Sequence, residues 1–288
     1  MKYFFIIFLA CFYNGFSQNP QEDYKIYHVA EKKEISLQEL INELSKSEVI
    51  FFGEEHNDSI AHVLQYEVFL GLRESTTRKL ILSMEMFQTD VQLVVEEYME
   101  DLISERNFER DARKWNNYND YKPLVEFAKS NGIYVLAANA PTRYTNMVTS
   151  YGLESLELLS KEAKKLLPPL PIDTLTGRYY DKFAGLMGGH EGMGNLKIYQ
   201  TQNLWDATMA WKIAEMMKKK PSTKLLLHLN GRFHTDEKLG TFAQLKKYAP
   251  RLKAVNISSF SHPSYAAPDW DEWTNLGDFI IITKPKKG

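Results

Sequence analysis

The sequence predicts an α/β fold: a mainly parallel sheet flanked by helices, carrying a mostly helical insertion. Three observations lead there. Short apolar runs at 49–52, 80–84, 133–137, 225–229, 254–257 and 279–283 alternate with longer helix-like stretches, the pattern of strands joined by crossover helices. Runs such as Val49-Ile50-Phe51-Phe52 are apolar without interruption, as strands buried on both faces must be. Two of the runs end in the same way, in Gly53-Glu54-Glu55-His56 and Gly231-Arg232-Phe233-His234, so each places a histidine just past a strand.

The elements follow in order. Residues 1–17 read as a secretory signal peptide: Lys2, an apolar stretch from Tyr3 to Tyr13, then Gly15 and Ser17 at cleavage-site spacing. Cleavage after Ser17 leaves residues 18–288 as a single domain. The competing expectation is lipid attachment at Cys11. After the run at 49–52, Asn57-Asp58 caps a helix over 59–73 with Ile60, Val63, Leu64 and Val68 on one side and His62 and Gln65 off that stripe. Further helices are expected over 91–103 and 121–130, the latter stopped by Asn131-Gly132. Between 151 and 195 the texture changes to a charged helix, a proline-rich stretch and a glycine-rich segment around His190, read as an insertion over the sheet edge. A helix over 201–217 returns to the sheet, and Thr241 with Gln244 has the spacing of a capping box for the next one.

Composition narrows the chemistry. Cys11 is the only cysteine, so signal cleavage leaves neither disulfide, thiolate ligand nor thiol nucleophile, and a site must use nitrogen and oxygen. The formal charge of -2 becomes -3 when Lys2 (+1) is removed, with both signs mixed along the chain, so no nucleic-acid partner is expected. No Gly-x-Ser-x-Gly elbow, His-Glu-x-x-His helix, phosphate loop or dinucleotide fingerprint occurs.

What remains is a set of imidazoles and carboxylates at strand ends, where open α/β sheets bind ligands. In an extended segment Glu54 and His56 point the same way and can share one ion or one proton, with Glu55 beside them. Glu85, in Met84-Glu85-Met86-Phe87, is a charge among apolar side chains and needs a partner there. His234 has Arg232 and Asp236 as neighbours, a cation for an anionic group and an acceptor for its second ring nitrogen. His190 lies on a flexible stretch, and Asp206, beside Trp205, is a candidate acceptor behind the ligands. Tyr118, Tyr121, Tyr179 and Tyr180 look accessible, and tyrosine is an axial haem ligand type. His228, inside a strand, reads as a core histidine, and His28, His62 and His262 have no supporting context.

Several segments together resemble the ChaN-like haem-binding uptake family, in the superfamily that includes Tiki metalloproteases and erythromycin esterases. They are Gly53 to Asp58, Glu85-Met86-Phe87 with Asp90 and Gln92, Trp115 with Tyr121-Lys122-Pro123-Leu124, Ala138-Asn139-Ala140-Pro141, His190, Gln202 to Ala210, and Gly231 with His234. The resemblance covers nearly the whole mature chain. It implies an exported protein of the periplasm, or one anchored to a membrane as a lipoprotein, linked to iron acquisition through an outer-membrane haem or iron transport system. Haem would sit near the carboxyl edge of the sheet, with two subunits of a homodimer able to enclose cofactors. Tyr121, in a matching motif, is the expected iron ligand, with His190, His234 and Arg232 around the haem. Tiki-like proteins instead pair two Gly-x-x-His motifs with a glutamate. By that likeness His56, Glu85 and His234 hold Mn, Co or Zn, with Glu54 or Glu55 as general base of a hydrolase.

Overall fold

The two strands that lead to the Gly-x-x-His motifs lie side by side in the middle of one sheet. The computed structural model describes residues 23–188 and 193–286. The signal segment, Cys11 and His190 lie outside them. Among the described residues the strands are β1 (Tyr24–His28), β2 (Lys33–Ile35), β3 (Val49–Glu54), β4 (Lys79–Gln88), β5 (Tyr134–Asn139), β6 (Lys224–Gly231), β7 (Ala254–Ser261) and β8 (Phe279–Thr283). They form one sheet in the order β2-β1-β8-β7-β3-β6-β4-β5. Strands β3 to β8 pair in parallel, while β1 and β2 join antiparallel at one side. The fold is thus the expected α/β class, with an antiparallel edge that the apolar runs did not signal.

Strand alternation divides the core between two faces. Ile50, Phe52, Leu82, Leu227 and Leu229 pack with residues of helices α1 (Leu37–Leu44), α2 (Ser59–Ser75), α3 (Gln92–Met99) and α5 (Tyr118–Ser130). Val49, Phe51, Ile81 and Leu226 face α9 (Met193–Met217) and α10 (Gly240–Tyr248), through Ala210, Ile213, Met217, Phe242 and Leu245. Both faces are covered, which is why the parallel strands read as unbroken apolar runs.

Helix boundaries follow local chemistry. Asp58 caps α2, its carboxylate accepting from the Ile60 and Ala61 amides at 3.0 and 3.1 Å. The apolar stripe expected on α2 is rotated: Val63 is 53% exposed, whereas His62 and Gln65 are buried with Phe69 and Leu72. The helix expected over 91–103 closes at Met99, and a separate short helix α4 (Glu105–Asp111), capped by Ser104, follows. The capping box expected at Thr241 and Gln244 does not form. Leu239 precedes α10 without a side-chain cap, and both side chains turn inward, Thr241 to Asp206 and Gln244 to the Asp173 carbonyl.

Between β5 and α9 the chain forms α6 (Thr142–Tyr151), α7 (Lys161–Lys164) and α8 (Arg178–Leu186), the last two separated by an irregular proline-containing stretch. Leu156, Leu167 and Ile172 of this region pack on Tyr144 and Val148 of α6 and on Leu204 and Ala207 of α9.

Candidate functional site

The parallel pairing of β3 with β6 sets Glu54 opposite Gly231, so both motif loops leave the sheet at the same point of its carboxyl edge. Two groups of polar side chains grow from that point, one toward each face.

The first group forms around Glu54, which is 1% exposed and faces α2 and α5. Its Oε1 lies 2.8 Å from His56 Nδ1 and accepts the Tyr121 hydroxyl. Its Oε2 accepts the Gln65 amide and stands 3.5 Å from His62 Nδ1. The His56 carbonyl accepts from Asn117 Nδ2 at 2.9 Å and contacts His62 Nε2 at 3.2 Å. Trp115 meets the His56 ring edge-on at 5.1 Å. A buried carboxylate is tolerable only with its lone pairs occupied, and every contact here occupies one or holds a group that does. Glu55 points away, accepting the Ser261 amide at 3.1 Å and lying 3.7 Å from Arg232.

The second group forms around His234, brought back toward the sheet by the 3-10 turn Arg232–His234. Its Nδ1 donates to Asp206 at 2.7 Å and its Nε2 faces Glu85 at 3.5 Å. Asp206 is fully buried and also accepts from Thr241 Oγ1, at 2.9 Å, and from the Tyr179 hydroxyl. Glu85 accepts the Gly231 amide at 2.7 Å. Asp236 does not face His234. It pairs instead with Arg232 Nη2 at 2.8 Å and accepts from Ser258 Oγ at 2.6 Å.

Electrostatics follows from these contacts. Burial alone would discharge His234, but Glu85 and Asp206 on its two sides outweigh that and lift its pKa to about 10. Reciprocally, burial works against the Glu85 carboxylate, yet His234 and His56 hold its pKa down to about 2. Around His56 burial also opposes the charge, and Glu54 and Glu85 overcome it, so its pKa is raised. Burial, then Glu54, pushes the Tyr121 phenol far above its ordinary range.

The two groups meet at an open cleft of about 290 Å³. Its polar lining includes Glu54, Glu55, His56, Gln202, Arg232 and His234, and its apolar lining is Phe183, Leu186, Met187 and Phe233. Leu186 and Met187, at the end of α8, are 71% and 43% exposed. A larger cavity, about 410 Å³, opens between Gln92, Tyr134, Lys212 and Lys224 and contains none of the carboxylate–histidine pairs.

His56, Glu85, His234, Asp206, Arg232, Glu54 and Glu55 are therefore gathered at one edge. Among the described residues, however, no group of three or more His, Cys, Asp or Glu side chains stands at metal-holding geometry. Tyr121 is fully buried and does not line the cleft, and Tyr118 and Tyr179 are likewise buried, contrary to the accessible surface expected for them. Arg178 pairs on the surface with Glu237 at 2.7 Å. His62 and Gln65 belong to the site although their sequence context set them aside. The signal was their spacing with Phe69 and Leu72, three and four residues apart on one helical face.

A family model described as haem-binding uptake, Tiki superfamily, ChaN, matches residues 40–245. ChaN of Campylobacter jejuni, whose structure is described as showing cofacial heme binding, is similar in fold with a TM-score of 0.70 and 19% identity. The likeness covers 92% of this chain and 98% of that one. The chloroplastic protein RETICULATA-RELATED 5 of Arabidopsis thaliana is 23% identical over 141 residues, a stretch that spans 46% of this chain and only 19% of that protein.

Proposed function

This chain belongs to the ChaN family of haem-binding uptake proteins, in the Tiki superfamily, and from that membership we propose that it holds haem in the cleft at the carboxyl ends of β3 and β6. The observation that carries the reading is the cleft's two-sided character. A wall of Phe183, Leu186, Met187 and Phe233, partly exposed to solvent, stands against a floor of imidazoles and carboxylates. Exposed apolar side chains beside a polar pocket suit a flat ligand that is apolar on its faces and acidic at one margin. Arg232, one-quarter exposed, and Lys182, whose Nζ lies 4.7 Å over the Phe233 ring, are cations placed to meet such acidic groups. Glycine at 231 keeps the space beside His56 open.

When bound, haem supplies an iron that takes an axial donor from the protein. The chain's own residues bind and orient it, so the role is that of a carrier and not of a catalyst. Export after cleavage of residues 1–17, or anchoring through Cys11, fits delivery to or from an outer-membrane transport system, and a second copy of the chain would cover the exposed Leu186 and Met187. Titration of the purified protein with ferric haem tests the reading. It should give a saturable Soret band; a response no larger than that of a control protein refutes it.

A second reading has one observation in its favour. A β-carbon on Gly231 would lie 2.8 Å from His56 Nε2 and 3.8 Å from Glu85 Oε2, so the missing side chain leaves a small polar space between an imidazole and a carboxylate, residue types that can ligate a metal. A Mn, Co or Zn ion there, with His234 as third ligand, would make Glu54 or Glu55 the base of a hydrolase. His234 would first have to give up the proton that Glu85 and Asp206 hold on it. Elemental analysis of haem-free protein and of His56→Ala decides: bound metal lost in the variant supports this reading, and equal content in both removes it.

A further inference from the structure

We propose that the cavity between Tyr134, Lys212 and Lys224 binds a phosphate-bearing ligand with an apolar body, its phosphate held by Lys218, Lys219 and Lys224. The site is separate from the cleft at the carboxyl edge and does not rest on the haem reading.

This cavity is the larger of the two, about 410 Å³ against about 290 Å³. Tyr134 and Lys224 open β5 and β6, so they stand at the amino ends of the strands, opposite the edge from which the Gly-x-x-His loops leave. Its neutral polar groups are satisfied within the protein. Gln92 lies along the outer edge of β5, its side chain donating to the Val135 carbonyl at 3.0 Å and accepting from the Ala137 amide at 2.8 Å. The Tyr134 hydroxyl donates to Glu96 at 2.6 Å, and Thr89 Oγ1 to the Leu166 carbonyl at 2.9 Å. What these leave for a ligand is charge.

Four ammonium groups, from Lys212, Lys218, Lys219 and Lys224, line the cavity against the single carboxylate of Glu215. Glu215 neutralises Lys212, 2.8 Å away on the same helix. Lysines gather at helix C-termini because the last carbonyls lack donors, and Lys224 meets that need by donating to the Met216 carbonyl at the end of α9. Lys218 and Lys219, exposed just past α9, form no ion pair among the described residues. The helix end therefore accounts for one lysine and leaves two in surplus. Their crowding is unfavourable: burial, then the charges of Lys79 and Lys219, lower the Lys224 pKa. An anion between them relieves that repulsion. Lysine meets phosphate as a point charge, whereas the planar match to a carboxylate belongs to arginine, and a phosphomonoester brings roughly two negative charges near neutral pH. Beside the cations, Leu136, Leu166 and Met216 give the cavity an apolar wall for the rest of the ligand.

The test is calorimetric titration of the full chain with methyl phosphate and with octyl phosphate below its micelle concentration, beside sedimentation with phosphatidylcholine vesicles with and without phosphatidic acid. Expected is saturable binding of octyl phosphate, tighter than that of methyl phosphate. The double variant Lys218→Gln, Lys219→Gln should weaken it about tenfold. Lys164→Gln with Lys165→Gln, which removes the same charge from an exposed surface elsewhere, should change it by less than about twofold. Glu215→Gln, which frees Lys212 and removes the one carboxylate from the lining, should tighten binding, a gain that misfolding cannot imitate. Vesicle binding that needs phosphatidic acid and is displaced by octyl phosphate supports the site and identifies a lipid headgroup as its source; octyl phosphate binding without vesicle binding supports it and identifies a soluble phosphate ester. No saturable binding to either, equal affinity for the two phosphates, or equal weakening by the two lysine pairs overturns the proposal. None of these readouts involves haem, so failure here leaves the haem reading in place.

Discussion

Gly231 and His56 touch across the ends of β6 and β3 so closely that a β-carbon on the glycine would lie 2.8 Å from His56 Nε2 and 3.0 Å from its Cε1. The obstacle is the far end of a half-exposed side chain, which can swing toward solvent only by giving up its Glu54 hydrogen bond. Gly231→Ala should therefore fold at a cost of about 1 kcal/mol and lose ligand affinity because the ring is displaced. Gly53→Ala is the contrasting case. Its β-carbon would meet the Arg232 backbone at 2.9 Å, so the chain itself must shift, at a cost of roughly 1–3 kcal/mol. Thermal melts and haem titrations of the two variants separate the effects; equal destabilisation by both would contradict the difference in their surroundings.

The ion pair between His234 and Glu85 sets a pH window. His234 has a folded pKa of about 10 against an ordinary 6.5, so its contribution to stability is complete below pH 6.5 and fades as pH rises through 10. Glu85, at about 2 against 4.5, contributes fully above pH 4.5 and loses that contribution as pH falls through 2. The melting temperature of the ligand-free protein should peak between pH 4.5 and 6.5 and decline on both sides. Glu85→Gln should cost about 3 kcal/mol at pH 6, since it removes one partner of a buried pair. Its decline from pH 6.5 to 10 should be shallower than the wild type's, and an unchanged slope would show that the pair does not govern it.

Asp206 receives three donors, and Tyr179 is the one contributed by α8, the helix whose end lines the cleft. Removing its hydroxyl leaves the other two in place. Tyr179→Phe is expected to destabilise by roughly 1 kcal/mol in denaturant unfolding. It should also raise the pH at which His234 deprotonates, as followed by imidazole proton resonances, because the Asp206 carboxylate, with one competing donor removed, acts more strongly on the imidazolium. An unaltered His234 titration would mean that α8 and the histidine are not coupled through Asp206.

Asp58 does two jobs at the start of α2, capping the Ile60 and Ala61 amides and accepting the Thr283 hydroxyl from the last strand. Asp58→Ala should cost about 1–2 kcal/mol. Since α2 carries His62 and Gln65, its loss should also loosen the Glu54 group, visible as faster amide exchange at Tyr121 and its neighbours. Exchange confined to the first turn of α2 would argue that the helix holds its place without the cap.

Much of this was legible before any coordinates. The unbroken apolar runs gave six strands because parallel strands covered on both faces leave no polar register to hide them. β1 escaped because Tyr24-Lys25-Ile26-Tyr27-His28 mixes polar and aromatic residues at a sheet margin, and β2 is only three residues long. The two motif histidines were readable from their repeated context. His62 and Gln65 were not, because a polar residue on a buried helical face is indistinguishable from one facing solvent until the acid it serves, Glu54, is placed beside it. Tyr121 shows the same limit from the other side: a motif position indicates proximity to a site, but whether the hydroxyl meets the ligand or a carboxylate depends on packing.

The alignment of Glu54 with Gly231 makes the chemistry far more fragile than the architecture. Inserting one residue near the end of β3 would leave a greasy strand still able to pair with both neighbours, since the layers above and below it are equally oily. Yet the shift would turn Glu54 and His56 toward α9, away from Tyr121, Gln65 and His62. Such a protein would keep its shape and lose its purpose.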